Sequence, residues 1–449
     1  MLTDAAGLEL IARDDVPVLV LDRVERRVGE VAALVHGEPA KRLRAFAVTG
    51  TNGKTTTTFM LEHLLASAGF APGLIGGVEI RVGGVSSPAA LTSPMPAELQ
   101  RMLARHVAAG GTDIVMEVSS HALVQHRSDP VRFAVAGFTN LTQDHLDYHP
   151  TIEEYFEAKA ELFTRERCEA AVILVDDDWG RHLFALASSR LERVYALAID
   201  SSLPVGAPGW QAERLEDRHG FALLAGGAGS PGTAAGERLG EYEVGLAGDF
   251  NVANAALAAT MALAGGVPLE ALPRRIAPAV PGRMEQVSEG EEGPRVVVDF
   301  AHNADALVKA IEALRPSTGG RLVVLTGSAG DRDAGKRAMM GAVVARYADA
   351  VVITDDDPHG ESPEAIRRAL LDGATGFGTP VREIPGRAEA IRSAILEAGE
   401  ADTLLIAGRG HETEQEVAGE VFELDDRVVA RAALEERRAL APRGSGRIA

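Results

Sequence analysis

An apolar run, Ala45-Phe46-Ala47-Val48, leads into Thr49-Gly50-Thr51-Asn52-Gly53-Lys54-Thr55-Thr56 and then directly into a helical pattern. That order of residue types suits a phosphate. Glycines let the backbone wrap close to phosphate oxygens, and a helix starting immediately behind them points its free N–H groups the same way. Lys54 would neutralise the outer phosphates of a nucleotide, and the Thr55 hydroxyl would ligate Mg²⁺. Val48 stands where the longer phosphate-loop pattern has its first glycine. The loop implies a nucleotide but leaves the reaction open, since a kinase, a GTPase or a ligase could use it.

Two further clusters follow. Met116-Glu117-Val118-Ser119-Ser120-His121-Ala122 sits at the end of an apolar run, where α/β proteins collect ligands, and Glu117 is a good hard-cation ligand there. Phe138-Thr139-Asn140-Leu141-Thr142-Gln143-Asp144-His145-Leu146-Asp147-Tyr148-His149 packs polar groups behind an apolar lead-in. Lys159 lies ten residues after His149 in the helical pattern Tyr155-Phe156-Glu157-Ala158-Lys159-Ala160. Taken singly, a lysine on a helix is solvated surface, and histidines in a loop are hydrogen-bonded structure.

The elements that must hold these residues alternate between short β-branched runs and helical patterns, which predicts α/β architecture with largely parallel sheets. Strands are expected at Ala45–Thr49, Ile114–Val118, Ala170–Val175, Arg295–Asp299, Arg321–Leu325, Ala350–Thr354 and Thr403–Ile406. Helices are expected at Thr55–Ala68, Ala97–Ala109, Ile152–Leu162, Asn251–Leu263, Ala304–Leu314 and Pro363–Leu371. Ser201–Gly240, rich in Gly, Ala, Ser and Pro, reads either as twisted β-structure or as a surface insertion. A boundary falls near Pro278–Arg283 and another near Arg42, so three regions are expected: a short N-terminal segment over 1–43, a nucleotide-binding domain over 44–280 and a C-terminal doubly wound domain over 281–449. A chain of 449 residues is too long for one ordinary core.

Composition narrows the partners. With 65 acidic against 45 basic residues the formal charge is -20, so no electrostatic footprint for nucleic acid or an anionic membrane exists. No run approaches the roughly 20 apolar residues of a membrane span. Cys168, the single cysteine, rules out an intrachain disulfide and a thiolate metal cluster, in keeping with a reducing cytoplasm. Met1-Leu2-Thr3-Asp4 shows no signal-peptide pattern, and Pro442–Arg447 reads as a loose tail. Gly408-Arg409-Gly410 lacks the third glycine of a dinucleotide fingerprint, which argues against a redox role.

Together the motifs resemble the Mur ligase family, MurE type, in an ordered match from about Ala45 to Arg427. It takes in Gly50–Thr56, Leu91-Thr92-Ser93-Pro94, Glu117–Ala122, Thr139–His149, Phe156–Lys159, Asn251–Asn254, Pro281-Gly282-Arg283, Asp299-Phe300-Ala301-His302, Gly330–Arg337, Asp355–Pro358 and Gly408–Glu412. The resemblance implies an N-terminal uridine-nucleotide-binding segment, a central P-loop ATPase domain with a mainly parallel sheet, and a Rossmann-like C-terminal domain that binds the incoming amino acid. It implies that ATP phosphorylates a substrate carboxylate and that an amine then attacks the acyl phosphate. ATP would be held by Gly50, Thr51, Asn52, Gly53, Lys54, Thr55, Thr56, Asn254, Arg283, Asp299, His302 and Lys336. Mg²⁺ would be held by Thr55, Glu117 and His145, and Lys159 matches the family lysine that is carbamylated. By the same resemblance Lys54, Glu117, His145 and Lys159 form the catalytic set. Thr92, Ser93, Ser119 and Arg127 would meet the acyl acceptor, UDP-N-acetylmuramoyl-L-alanyl-D-glutamate, and Arg332, Asp356, Asp357, His359, Gly408 and Glu412 the free amino acid. A cytoplasmic monomer serving cell-wall synthesis is the implied setting.

Two departures stand out. Family members that add diaminopimelate resemble one another in an Asp-Asn-Pro-Arg loop whose arginine grips the distal carboxylate. Here the loop reads Asp356-Asp357-Pro358-His359-Gly360-Glu361, so a guanidinium fork is lost and acidic groups are gained. L-Lysine is therefore expected, L-ornithine second, with diaminopimelate disfavoured. Moreover, 49 residues precede Gly50, about half of what the resemblance implies for a full uridine-binding domain. That leaves open a Mur-ligase-like amide ligase acting on a non-uridine acceptor in secondary metabolism. A catalytically silent nucleotide-binding protein would show losses at Lys54, Glu117, His145 or Lys159, and none is lost.

Overall fold

A computed structural model describes residues 1–11, 15–145, 148–227, 235–288 and 293–440. Leu146 and Asp147 of the Thr139–His149 motif, part of the Ser201–Gly240 segment and the Pro442–Arg447 tail lie outside the described residues. The chain divides into two compact units. The first holds Met1–Gln143, His149–Gly245 and Asn251–Ala279, and the second holds Asp144–Tyr148, Leu246–Phe250 and Val280–Ala449.

A 12-stranded sheet organises the first unit. Its middle is parallel: Ala170–Leu174, Val135–Phe138, Arg44–Thr49, Asp113–Glu117 and Pro72–Ile75 lie side by side in that order. These strands carry almost unbroken apolar runs because helices cover both faces. Register does the positioning: Val48 pairs with Glu117 on one side and Gly137 on the other, and Thr49 pairs with Phe138. Three strands thus end level, and the phosphate-type loop, Glu117 and Thr139 emerge together at the carboxyl edge. Antiparallel strands extend the sheet at both ends. One such extension answers the open question over Ser201–Gly240: Gly209–Arg214, Gly220–Ala225 and Arg238–Val244 form a meander with an irregularity at Leu223/Leu224. Its inner face is aromatic, with Tyr195 5.1 Å from Trp210 and Phe221 5.2 Å from Tyr242. Near the N-terminus, Leu2–Thr3 pairs in parallel with Leu19–Val20, and the helix Val28–Val35 follows.

The second unit is a six-stranded sheet, ordered Glu285–Gln286, Arg295–Asp299, Thr403–Ala407, Leu322–Thr326, Ala350–Ile353 and Val381–Glu383. All pairs but the first are parallel. Alternate residues of each strand serve opposite faces. Val297, Val324 and Leu405 pack under the helices Ala304–Leu314, Lys336–Tyr347 and Pro363–Gly373. Val296, Val298, Leu404 and Ile406 pack under Arg387–Glu397 and Asp426–Leu440. This is a doubly wound layer, and its strand order reverses beside Thr403–Ala407. Ligands of such sheets bind at the reversal, beyond the carboxyl ends of the strands.

Candidate active site

The loop between strand Arg44–Thr49 and helix Lys54–Ser67 is built for close approach. Gly53 has φ of 88°, and a Cβ there would lie 2.4 Å from Asn254 Oδ1, so only glycine fits. A second segment clamps the loop from the side. Asn52 N–H donates to Asn140 Oδ1 (3.0 Å), Thr139 Oγ1 and Asn140 Nδ2 donate to Asn52 O (2.7 and 3.1 Å), and Thr142 N–H donates to Thr51 Oγ1 (3.0 Å). Lys54 Nζ donates to Gly50 O (3.0 Å) and Thr51 O (2.8 Å). Lys159 is buried, stands 4.3 Å above the Tyr155 ring, and donates to the same Gly50 carbonyl at 2.8 Å. Two ammonium groups therefore converge on one oxygen at the mouth of the loop. Thr55 and Thr56 are buried in the first turn of the helix. Asn254 bonds to Thr57 Oγ1 (3.3 Å) and Asn251 Oδ1 (3.1 Å), tying helix Asp249–Ala264 to the loop.

Glu117 is buried at its strand end. Among the described residues its Oε1 accepts one hydrogen bond, from Gly77 N–H at 2.9 Å, and its Oε2 accepts none. Ser93 Oγ donates to Glu117 O (2.9 Å), and Arg127 Nη1 donates to Ser93 O (3.2 Å). Ser119 caps the short helix Ser120–Val124 through Ala122 N–H, and Thr92 packs beside Gly77. The first unit thus brings together Gly50–Thr56, Glu117, Lys159 and Asn254 around the loop, and Thr92, Ser93, Ser119 and Arg127 around the Glu117 edge.

The remaining candidates lie in the second unit, where a cleft is lined by His145, His302, Arg332, Lys336, Asp356, Asp357, His359, Gly408 and Glu412. Asp144 is buried beside them, with Oδ2 3.8 Å from His302 Nε2 and 4.0 Å from His145 Nε2. Burial pushes its pKa up, but His302, His145 and Lys336 outweigh that and hold the carboxyl well below the usual range. Asp299 accepts Met284 N–H (2.7 Å) and Ala301 N–H (2.9 Å), and burial pushes its pKa up against the pull of Arg283. The Arg283 guanidinium stacks at 4.2 Å on Phe300, which lines the cleft, while Arg283 and Asp299 are not themselves part of the lining.

Under the cleft lies a cation that the motifs did not single out. Arg409 is fully buried, and its Nη1 stands 2.7 Å from Asp357, 3.7 Å from Glu412 and 3.8 Å from Asp356. Three carboxylates share this one guanidinium. Burial, then the charge of Asp356, pushes the Glu412 pKa up to about 8. Gly408 has φ of 119°, and a Cβ there would stand 2.5 Å from Asp356 Oδ2. Asn140, Thr142 and Arg409 were all inside recognisable motifs; an arginine between two glycines next to a strand end was the only hint for the last.

A phosphate-type loop at a parallel sheet edge, together with a doubly wound unit bearing an acidic cleft, defines a two-unit α/β protein. The chain matches the Mur ligase middle domain over residues 48–262 and the Mur ligase, glutamate ligase domain over residues 282–410. It is 40% identical over 454 residues to a protein of Corynebacterium glutamicum named UDP-N-acetylmuramoyl-L-alanyl-D-glutamate--2,6-diaminopimelate ligase, covering 97% of this chain and 84% of that one. It is also 40% identical over 448 residues to the UDP-N-acetylmuramyl-tripeptide synthetase of Leifsonia xyli subsp. xyli, with the same coverage of 97% and 84%. A solved UDP-N-acetylmuramoyl-L-alanyl-D-glutamate--2,6-diaminopimelate ligase superposes with a TM-score of 0.61 at 31% identity, over 95% of this chain and 86% of that one. The chain belongs to the Mur ligase family, the ATP-dependent acid–amino-acid ligases. Within it, these relatives mark the MurE type.

Proposed function

We propose that the protein joins an amino acid to the D-glutamyl carboxylate of UDP-N-acetylmuramoyl-L-alanyl-D-glutamate, with ATP going to ADP and phosphate, as a step of peptidoglycan synthesis. The observation that carries this is the level ending of three strands, which sets Glu117 and the clamped Gly50–Thr56 loop side by side. In domain terms, 44–280 is the ATPase part, 281–449 takes the amino acid, and 1–43 belongs to the uridine-nucleotide side.

The chemistry follows from charge. A carboxylate and a triphosphate repel one another, so cations must hold them together. Lys54 and the loop amides take the β- and γ-phosphates. Glu117, a buried carboxylate with an oxygen that accepts no hydrogen bond among the described residues, suits a hard cation, and Thr55 and His145 are the other residues we propose for Mg²⁺. Bound Mg²⁺ supplies charge neutralisation at the phosphates. Lys159 is our candidate for carbamylation, because it is buried at the mouth of the loop and reaches the same Gly50 carbonyl as Lys54. Thr92, Ser93, Ser119 and Arg127 hold the acceptor. Asn254, Arg283, Asp299, His302 and Lys336 serve ATP, and Arg332 and Glu412 take the α-carboxylate and α-amine of the incoming amino acid, beside Asp356, Asp357 and Gly408.

For the distal end of the amino acid we propose an ammonium, as in L-lysine, with L-ornithine second. His359 stands at the position of the family's gripping arginine, and its Nδ1 lies 3.0 Å from Glu416 Oε2, so a protein carboxylate already engages it. The names of the relatives favour diaminopimelate instead. The test is product mass and phosphate release from ATP, Mg²⁺, the UDP-muramoyl dipeptide and each amino acid in turn. Lysine-dependent tripeptide supports both parts, diaminopimelate-only tripeptide removes the lysine assignment, and absence of tripeptide with every amino acid removes the function.

A further inference from the structure

The hairpin of Glu414–Val417 and Glu420–Glu423 is laid against the loop that carries His359. His359 N–H donates to Glu416 O (3.1 Å) and Ala418 N–H donates to His359 O (2.7 Å), which makes a parallel bridge between His359 and Val417. Glu416 N–H donates to Asp357 Oδ1 (3.0 Å), and Gln415 Nε2 donates to Asp356 O. These ties fix the register of hairpin against loop. Slipping it by one residue would turn Glu416 away from the loop. In the fixed register Glu416 crosses His359, with Oε2 3.0 Å from Nδ1. Both side chains stay open to a ligand, His359 23% and Glu416 45% exposed.

We propose that Glu416 is a specificity-determining residue for the incoming amino acid. Through its contact with His359 it holds a carboxylate beside the far wall of the cleft, turning away side chains that end in a carboxylate and favouring those that end in an ammonium. This rests on the proposed amino-acid ligase function. It has a consequence that the loop alone does not: arginine at 359 would find Glu416 waiting, form an ion pair with it, and remain unavailable to a substrate carboxylate. Specificity is therefore held by two positions 57 residues apart, and both must change to reverse it.

The test compares the full chain as wild type, Glu416→Gln, Glu416→Asp, His359→Arg and the His359→Arg/Glu416→Gln double variant. For each, kcat/KM is measured for meso-diaminopimelate and for L-lysine at saturating ATP and UDP-muramoyl dipeptide. The expected result for Glu416→Gln is a diaminopimelate-to-lysine ratio raised about tenfold, chiefly through KM, with the KM for the dipeptide unchanged. His359→Arg alone moves the ratio less than about threefold, while the double variant moves it about a hundredfold, well beyond the product of the singles. Glu416→Asp keeps the charge and the wild-type ratio. A Glu416→Gln ratio within twofold of wild type, an additive double variant, or an Asp variant that shifts as far as the Gln variant overturns the proposal. So does a wild type that prefers diaminopimelate, which leaves the ligase function standing. A wild type that makes no tripeptide overturns the ligase function itself.

Discussion

Replacing Asp426 by asparagine should loosen the floor of the cleft proposed to take the amino acid. Arg387 and Asp426 are both fully buried, and Nε and Nη2 of Arg387 donate to the two carboxylate oxygens at 2.8 and 2.7 Å. The same guanidinium donates to Ala407 O (2.9 Å) and Asp355 O (3.2 Å), each one residue ahead of a cleft-lining residue, Gly408 and Asp356. Burial pulls the Arg387 pKa down, but Asp426 outweighs it, and the group stays charged. Asparagine keeps the shape and removes the countercharge, leaving a buried cation among carbonyl dipoles. Breaking a buried pair this way costs about 3–5 kcal/mol. At roughly 2–4 °C per kcal/mol for a unit of this size, the melting temperature should fall by about 6–20 °C. Calorimetry on the purified chain measures it, and steady-state kinetics should show the amino-acid KM rising at least about fivefold with the ATP KM unchanged. Arg387→Met/Asp426→Leu replaces the pair by apolar groups and should regain most of the lost stability. Its amino-acid KM should stay high, because removing Arg387 takes the donor from both carbonyls. An asparagine variant melting within 2 °C of wild type, or a double variant melting below the asparagine variant, would show that the pair is not what holds this floor.

Three other outcomes are expected. Lys159→Ala should lower kcat by at least about a hundredfold with the fold intact by circular dichroism, and wild-type activity should fall in CO₂-depleted buffer and return on adding bicarbonate; indifference to bicarbonate would remove the carbamate. Glu412 has its folded pKa raised to about 8, so the folded chain binds more protons than the unfolded one between the ordinary carboxyl value and about pH 8. Its contribution to stability is therefore best at acid pH and declines as pH climbs through that window, whereas affinity for the amino acid's α-ammonium rises; titration calorimetry from pH 6 to 9 showing flat affinity would break the link. Gly408→Ala forces a Cβ to 2.5 Å from Asp356 Oδ2 at a φ of 119° and should raise the amino-acid KM while sparing ADP binding, since backbone strain of about 1–3 kcal/mol is confined to the cleft. An unchanged KM would mean that Asp356 does not line the occupied part of the cleft.

Local chemistry was legible in the sequence because it is written in consecutive residues. The strand, turn and helix around Gly50–Thr56 form one short run, and the expected strands at 45–49, 295–299 and 403–406 match the observed ones to within a residue. What escaped notice depends on distant partners. Strand Pro72–Ile75 opens with proline and glycine, which speak against a strand, yet its place beside Asp113–Glu117 in the sheet overrides them. Strand Val135–Phe138 contains Gly137, where any Cβ would meet Met261 Sδ at 2.3 Å, so a helix more than a hundred residues away explains the glycine. Arg387 and Asp426 are 39 residues apart and look like two ordinary charges on two amphipathic helices. The hairpin at 414–423 is polar and half exposed, with no apolar alternation to betray it.

The same distinction decides how far loop motifs can carry specificity. Counted by type, the neighbourhood of Asp356–Glu361 is well supplied with cations, enough for a dicarboxylic amino acid. Counted by partner, the supply is nearly spent. Arg337 is held by Glu361 at 2.8 and 2.9 Å, Arg409 by Asp357 at 2.7 Å, Arg367 by Asp355 and Glu383, and His359 by Glu416 at 3.0 Å. Among the described residues Arg332 and Lys336 line the cleft without a carboxylate in ion-pair range. Arg332 answers to the α-carboxylate in the proposed function, and Lys336 to ATP. A second substrate carboxylate would then enter among Asp356, Asp357 and Glu412 with no cation assigned to it, whereas an ammonium would enter a field already prepared for it. A substrate's charge is selected by which protein charges remain unpaired after folding, and that remainder becomes countable only once the partners are known.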